Sequence, residues 1–241
     1  MTMENFDDIC NWDNLFKQSE NFKNTKPFKF AYIEEILKRD FYEKLFETYP
    51  KYNTDDKKWS TSTQFSKTQF YRGWGDYDPG EYADDKEDSE QSPEWNRFYR
   101  FLHSQEFVDN MRKFSGVSVN KMKTFRFVLY HKGGYQLPHI HNDGPSTLII
   151  FFNFSKGWKK GDPGGTYVAS EEDESKIMFE PHNLDNSMVL LHDGPYSAHG
   201  ARYITKDVKR QAIQVYLEEY SEEDKRWTGK NFEDIQPTVE L

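Results

Sequence analysis

The stretch Thr147–Phe154, TLIIFFNF, constrains this chain more than any other. Six of its eight residues are apolar, and the mixture is β-branched and aromatic. That is too short for an ordinary core helix, and it lacks the alternation of a strand with one wet face. It reads as a strand covered on both sides. Its surroundings agree. In KTFRFVLY, Phe125, Phe127 and Leu129 alternate with Thr124, Arg126, Val128 and Tyr130. In QAIQVYLEE, Ile213, Val215 and Leu217 alternate with Gln214 and Tyr216. TYVAS and SMVLL add two further strands, and KGWKKGDPGG is a turn-rich loop. Gly133-Gly134 is expected to break the first strand. Short strands separated by turns predict a β-sandwich or barrel.

Two histidines and an acid fall at informative places in this pattern. His141 and Asp143 form His-x-Asp just before the apolar strand, and His199 lies between two later strands. Side chains at i and i+2 of a strand point to one side. His141 and Asp143 can therefore reach one point from one strand end, with His199 brought in by a distant strand. Two imidazoles and a carboxylate on one face of a ferrous ion leave its other positions open, the arrangement of non-haem Fe(II) oxygenases. His139 should face the same side as His141.

The first half of the chain reads as support. Residues 1–26 carry scattered aromatics suited to an amphipathic helix or a loose arm. Phe28, Phe30 and Tyr32 alternate as a short strand; Ile33, Ile36, Leu37, Leu45, Phe46 and Tyr49 follow helical spacing up to Pro50. Residues 51–75 suit a hairpin or a structured loop. From Asp76 to Glu90 eight acids face one base, Lys86, which predicts a mobile, solvated loop. Ser92-Pro93-Glu94 has the makings of a helix start. Trp95, Phe98, Leu102, Met111 and Phe114 then form one stripe, and Gly116 ends the helix.

Bulk properties limit the remaining choices. Aromatic residues make up 17% of the 241 and supply buried area despite a polar composition. A net charge of −9 argues against a nucleic-acid groove. Cys10 is the only cysteine, so no intramolecular disulfide forms. The N-terminus lacks the features of a signal peptide, and no apolar run approaches membrane-spanning length, so a cytoplasmic protein is expected.

The order strand, His-x-Asp, apolar strand, Gly-Gly strand, apolar strand, His, then Arg before a strand resembles the 2-oxoglutarate and Fe(II)-dependent dioxygenases of the prolyl 4-hydroxylase-like group. HNDGPSTLIIFFNF, PGGTYVA and SMVLLHDGPYSAHGARYITKDVKRQAIQVYL carry the likeness, over roughly residues 120–218. KPFKFAYIEEILKRDFYEKLFETYP resembles the helical lead-in of several members. The resemblance implies a double-stranded β-helix, or jelly-roll, core. It implies one domain: support over 1–118 containing the acidic loop 76–90, a catalytic core over 119–220, and a tail over 221–241.

It further implies that His141, Asp143 and His199 ligate Fe(II). Arg210, eleven residues after His199, would pair with the distal carboxylate of 2-oxoglutarate through its planar fork. The activity implied is hydroxylation of an unactivated C–H bond using O2, with release of succinate and CO2 and with ascorbate as a candidate auxiliary reductant. Related halogenases replace the acid with a small residue, so Asp143 favours hydroxylation. Phe151 or Phe152 stands where some members carry a tyrosine, which leaves Tyr130 and Thr147 as candidates for a second cosubstrate contact. Tyr135, His139, Trp158 and Arg202 are candidates for the substrate pocket. The expected partner is a small molecule or peptide, with a peptidyl or free amino acid, proline first, as substrate; nucleic acid and membrane are not expected. The alternative is a cupin-type metal protein using His139 and His141, or a non-catalytic binding module on a similar barrel.

Overall fold

The structure, a computed structural model, describes residues 4–62, 66–77, 84–141 and 143–228. In chain order its elements are α1 (Trp12–Phe16), α2 (Ser19–Asn24), β1 (Phe30–Glu34), α3 (Arg39–Glu47), β2 (Trp59–Ser62), β3 (Ser66–Arg72), α4 (Pro93–His103) and α5 (Gln105–Ser115). Then follow β4 (Lys121–His139), β5 (Thr147–Phe154), β6 (Thr166–Ala169), β7 (Ile177–Phe179), β8 (Asp185–His192), β9 (Ala198–Ala201) and β10 (Arg210–Glu218). A small ribbon of β11 (Tyr220–Ser221) and β12 (Arg226–Trp227) follows. Helices gather in the first half and strands in the second.

The main sheet runs β1-β8-β5-β10-β4-β9-β6-β7, with β3 on the other edge of β4 and β2 beyond it. Neighbours pair antiparallel throughout. Strand β4 is the hinge of this sheet. Its first half, Lys121–Tyr130, pairs with β10, and its second half pairs with β9 through Gln136 and His139. The sheet thereby curls into a half-barrel, the jelly-roll core expected.

The Gly-Gly pair bends β4 rather than breaking it. Gly133 takes φ +83, a left-handed conformation costly for other residues. A Cβ on Gly134 would lie 2.9 Å from the His131 carbonyl oxygen. The glycines let the strand turn without ending, which is why β4 is 19 residues long.

The apolar run is explained by two cores. Leu148, Ile150, Phe152 and Phe154 of β5 join Ile213, Val215 and Leu217 of β10 and Phe125, Phe127 and Leu129 of β4 against the helices. Ile149 and Phe151 face the other way, toward Val168, Val189, Leu191 and Tyr216 inside the curl. Every residue of β5 is buried. The helical layer is fastened by Tyr49, whose hydroxyl lies 2.8 Å from the Ala212 carbonyl and accepts from Val128 N at 3.1 Å.

The expected single helix over 93–115 is two. Ser104 has ψ 150 and accepts from Phe107 N, while its hydroxyl donates to Phe101 O. A serine that satisfies both chain ends at once stops one helix and caps the next. The start at Ser92 and the stop at left-handed Gly116 stand as expected. The helix after β1 begins only at Arg39, and residues 12–24 form two short helices. Strands β2 and β3 pair as a hairpin would.

Within the acidic segment, residues 78–83 lie outside the described ones. Asp88 is buried and exchanges hydrogen bonds with Asn96, and Glu90 pairs with Arg72 and Lys58, each at 2.9 Å. Trp227 of the tail packs on Tyr220 at 5.0 Å, and Phe232 lies outside the described residues.

Phe154 touches the rings of Tyr42, Tyr49 and Trp95, and is fully buried where β5 meets the helices. Phe154→Ala should cost about 3–5 kcal/mol of unfolding free energy. Urea denaturation should show this as a lowered midpoint with an unchanged slope.

Candidate metal centre

His139 is the last residue of β4, and its partner across the ladder is His199 of β9. Side chains of a directly opposed pair stand on one face, so two remote histidines are forced together. His141 follows in the connection to β5. The three rings have centroid separations of 4.5 Å (His139–His199), 5.0 Å (His139–His141) and 5.0 Å (His141–His199). One nitrogen from each lies within 4.8 Å of the others. The Asp143 carboxylate lies 3.9 Å from His141 Nδ1. His141 and Asp143 therefore occupy the loop after the strand, not the strand end expected. His139 does face the same side as His141.

The environment keeps these rings neutral. His199 Nδ1 lies 3.1 Å from Ser197 O, and His139 Nδ1 lies 3.0 Å from Leu137 O. Donation from Nδ1 to a carbonyl leaves Nε2 as the lone-pair nitrogen. Burial, then the neighbouring imidazole charge, pushes His141 down to about 3. The same causes, burial first, hold His199 well below its ordinary range, and His139 is lowered mainly by burial. Neutral imidazole is the form that binds a metal. Three such nitrogens with an adjacent carboxylate suit Fe(II), Co(II), Ni(II) or Zn(II).

One buried acid ties the loop together. The Asp193 carboxylate accepts from the backbone N–H of Asp143 and Gly144 and from the Ser197 hydroxyl at 3.0 Å. It is 2% exposed, and burial raises its carboxyl. A single side chain thus joins the segment bearing Asp143 to the turn that leads into His199.

Behind the histidines lies Arg210, 1% exposed. Its ladder partner is Tyr130, whose ring lies 5.0 Å below the guanidinium. Nη2 donates to the Thr166 hydroxyl, and Nε has no partner. No carboxylate pairs with Arg210 among the described residues, and burial lowers its pKa. Tyr130 donates to Gln136 Oε1 at 3.0 Å, and the Gln136 amide lies 3.4 Å from His139 Nε2. A line of polar groups thus runs from Arg210 to the histidines. A cavity of about 330 Å³, lined by Ser62, Tyr71, Arg126, Gln136, His139, Ile140 and His141, opens beside them. A larger groove of about 610 Å³, lined by Asn14, Tyr32, Arg39 and His182 among others, holds none of the three clustered histidines.

The remaining candidates sit elsewhere. Thr147 is opposite Glu218, at the far end of β10 from Arg210. Tyr135 stacks on exposed Tyr203 at 6.5 Å. Trp158 packs with Val128, Tyr130, Leu184 and Ile204. Arg202 pairs with Glu180. Phe151 is the residue of the apolar strand that faces the site, 5.9 Å from the His199 ring. Tyr216, whose hydroxyl lies 3.3 Å from the His141 ring, and Gln136, Thr166 and Asp193 were not anticipated. Strand alternation carried one signal: Arg210, Gln214 and Tyr216 share parity, so a polar row on a buried strand faced the same interior.

The curled sheet has the fold of solved 2-oxoglutarate/Fe(II) oxygenases. No family model matches the sequence. No curated protein matches it either. Solved structures do match in fold. A prolyl-4-hydroxylase from Pseudomonas putida aligns with 86% of this chain and 100% of its own, at 11% identity and TM-score 0.55. A prolyl hydroxylase from Trichoplax adhaerens, in complex with a hypoxia inducible factor peptide fragment, aligns with 86% of this chain and 88% of its own, at 13% identity and TM-score 0.55. HygX from Streptomyces hygroscopicus, with nickel and 2-oxoglutarate bound, aligns with 90% of this chain and 98% of its own, at 12% identity and TM-score 0.56.

Asp193→Ala should weaken Ni(II) binding about 10–100-fold, the usual effect of removing a group that orients a ligand loop. Isothermal titration measures this, and an unchanged far-UV spectrum would show that the fold is intact.

Proposed function

We propose that the protein is an Fe(II)- and 2-oxoglutarate-dependent dioxygenase that hydroxylates an unactivated C–H bond. His141, Asp143 and His199 would hold the iron, with His139 bordering it. Arg210 would take the distal carboxylate of 2-oxoglutarate, with Tyr130 and Gln136 along its length. The bound iron and cosubstrate supply oxidative decarboxylation to succinate and CO2, coupled to transfer of one oxygen atom of O2 to the substrate.

The observation that carries this reading is Arg210. A guanidinium with 1% exposure and no carboxylate partner among the described residues is expensive to bury. It stands on the interior face, joined through Tyr130 and Gln136 to the histidines. A dianion with one end on the metal and the other on Arg210 would answer both demands. The chain's own residues then have clear tasks. Phe151, Val168 and Val189 wall the interior and exclude water. The Tyr216 hydroxyl and Asp193 fix His141 and the loop bearing Asp143.

In the same fold, the Trichoplax adhaerens prolyl hydroxylase is in complex with a peptide fragment and HygX has hygromycin B bound, which supports either class here. Proline, peptidyl or free, is the first substrate to try. Among the described residues no helix is long and apolar enough to cross a membrane.

A cupin-type site is the second reading, favoured by the grouping of His139 with His141 and His199. Asp143→Ala and His139→Ala separate the two: loss of Ni(II) binding with the first supports the oxygenase set, and with the second alone the cupin set.

Arg210→Met should abolish 2-oxoglutarate binding, by 30-fold or more. It should leave the stability of the ligand-free protein unchanged or raised, since an unpaired buried cation is removed. Titration calorimetry and thermal melting would check both. The purified protein with Fe(II) and 2-oxoglutarate should also release succinate slowly without substrate; no succinate would overturn the oxygenase reading.

A further inference from the structure

The cavity beside the histidines contains a second arginine that the cosubstrate does not need. Arg126 is half-buried on the interior face of β4, opposite Gln214. Its Nε donates to Gln214 Oε1 at 2.6 Å and its Nη2 to the Tyr216 hydroxyl at 3.3 Å. Both acceptors are neutral. Its guanidinium lies 4.6 Å over the Tyr71 ring and 5.7 Å from that of Tyr216. Two neutral hydrogen bonds and two aromatic faces fix the plane of the fork without neutralising it. Nη1 has no hydrogen bond, and no carboxylate pairs with this arginine, among the described residues.

We propose that Arg126 is a carboxylate-binding residue at the mouth of this cavity, and that the substrate is a small carboxylic acid such as a free amino acid, not an internal residue of a peptide. The inference rests on the oxygenase reading and adds the substrate class to it. A planar guanidinium lining a cavity can match a carboxylate through two hydrogen bonds, here from its Nη1 and Nη2 groups. The cavity walls named above include no acidic side chain among the described residues, and no carboxylate of those residues pairs with Arg126. Its volume of about 330 Å³ lies at the small end of ligand pockets. Arg126 and Arg210 engage different acids for a geometric reason. Along the β4–β10 ladder, Arg126 opposes Gln214, four positions from Arg210. At about 3.3 Å per residue that is roughly 13 Å along the strand. Arg210 is enclosed, whereas Arg126 is at the opening. A cosubstrate spanning from the metal to Arg210 leaves Arg126 to an acid entering from solvent. Holding that acid at one point would set which carbon faces the metal.

The same carboxylate chemistry could come from the cosubstrate, and the experiment separates the two sources. The Zn(II)-loaded protein with saturating 2-oxoglutarate is mixed with a pool of the twenty free amino acids, or with the pool of their carboxamides. Binding is read by saturation-transfer NMR. The expected result is that the acids bind and the amides do not. Arg126→Gln should lose acid binding at least tenfold, with 2-oxoglutarate affinity by calorimetry within twofold of the unsubstituted protein. Arg126→Lys, which keeps the charge but not the fork, should recover part of it and guards against a folding defect. Equal binding of acids and amides, or binding of neither, overturns the proposal. A tenfold loss of 2-oxoglutarate affinity in Arg126→Gln, with acid binding unaffected, assigns Arg126 to the cosubstrate and overturns the substrate class. If the unsubstituted protein binds no 2-oxoglutarate yet still selects acids over amides, the oxygenase reading falls and the carboxylate site stands.

Discussion

The bend in β4 is the constraint on which the rest of the molecule depends. Before it, the strand belongs to β10 and the helix-backed layer; after it, the strand belongs to β9. One continuous backbone therefore carries Tyr130 and Arg126 on one side of the curl and delivers His139 to the other. The ladder pair His139–His199 is a product of that transfer. So is the close approach at Gly200, where a Cβ would meet the Gln136 carbonyl at 2.5 Å. Gly133 and Gly134 make the bend, and Gly200 lets the two strands close after it.

The interior that results is short of anions. Three imidazoles are kept neutral by burial, and two guanidiniums face the same space with only neutral partners, tyrosines, a glutamine and a threonine, among the described residues. The buried acid closest to the histidines, Asp193, is used up on backbone N–H groups and a serine. A protein interior does not hold two cationic forks without a reason. The proposed function would supply one, since 2-oxoglutarate and an acid substrate are both anions and each would find a fork set for it.

Much of this was legible in the chain. The strands from 121 to 218 follow from alternation, and the two-sided burial of β5 from its unbroken apolar run. His141 and Asp143 stand out by their spacing, and the family resemblance points to His199 and Arg210. The failures have physical causes. Gly-Gly was expected to end a strand because glycine is permissive, yet permissiveness equally allows a bend inside a ladder. One amphipathic stripe over 95–114 hid Ser104, since a cap is a local hydrogen bond that periodicity does not register. A strand reading gives His139 and His141 equal standing as i and i+2, and only the cross-strand register makes His139 the residue opposite His199. Gln136, Thr166 and Asp193 carried no motif, because their importance comes from what lies opposite them in space.

The opposed faces of β5 and β10 have an evolutionary corollary. Neighbouring positions along one strand answer to different masters: Phe152 to the helical scaffold, Phe151 to the interior that holds the histidines. Sequence drift in the even-numbered row of β5 can trade one hydrophobe for another while the interior is untouched, and drift in the odd-numbered row can reshape the interior while the framework endures. A lineage built on this plan is free to reshape its interior one alternate residue at a time.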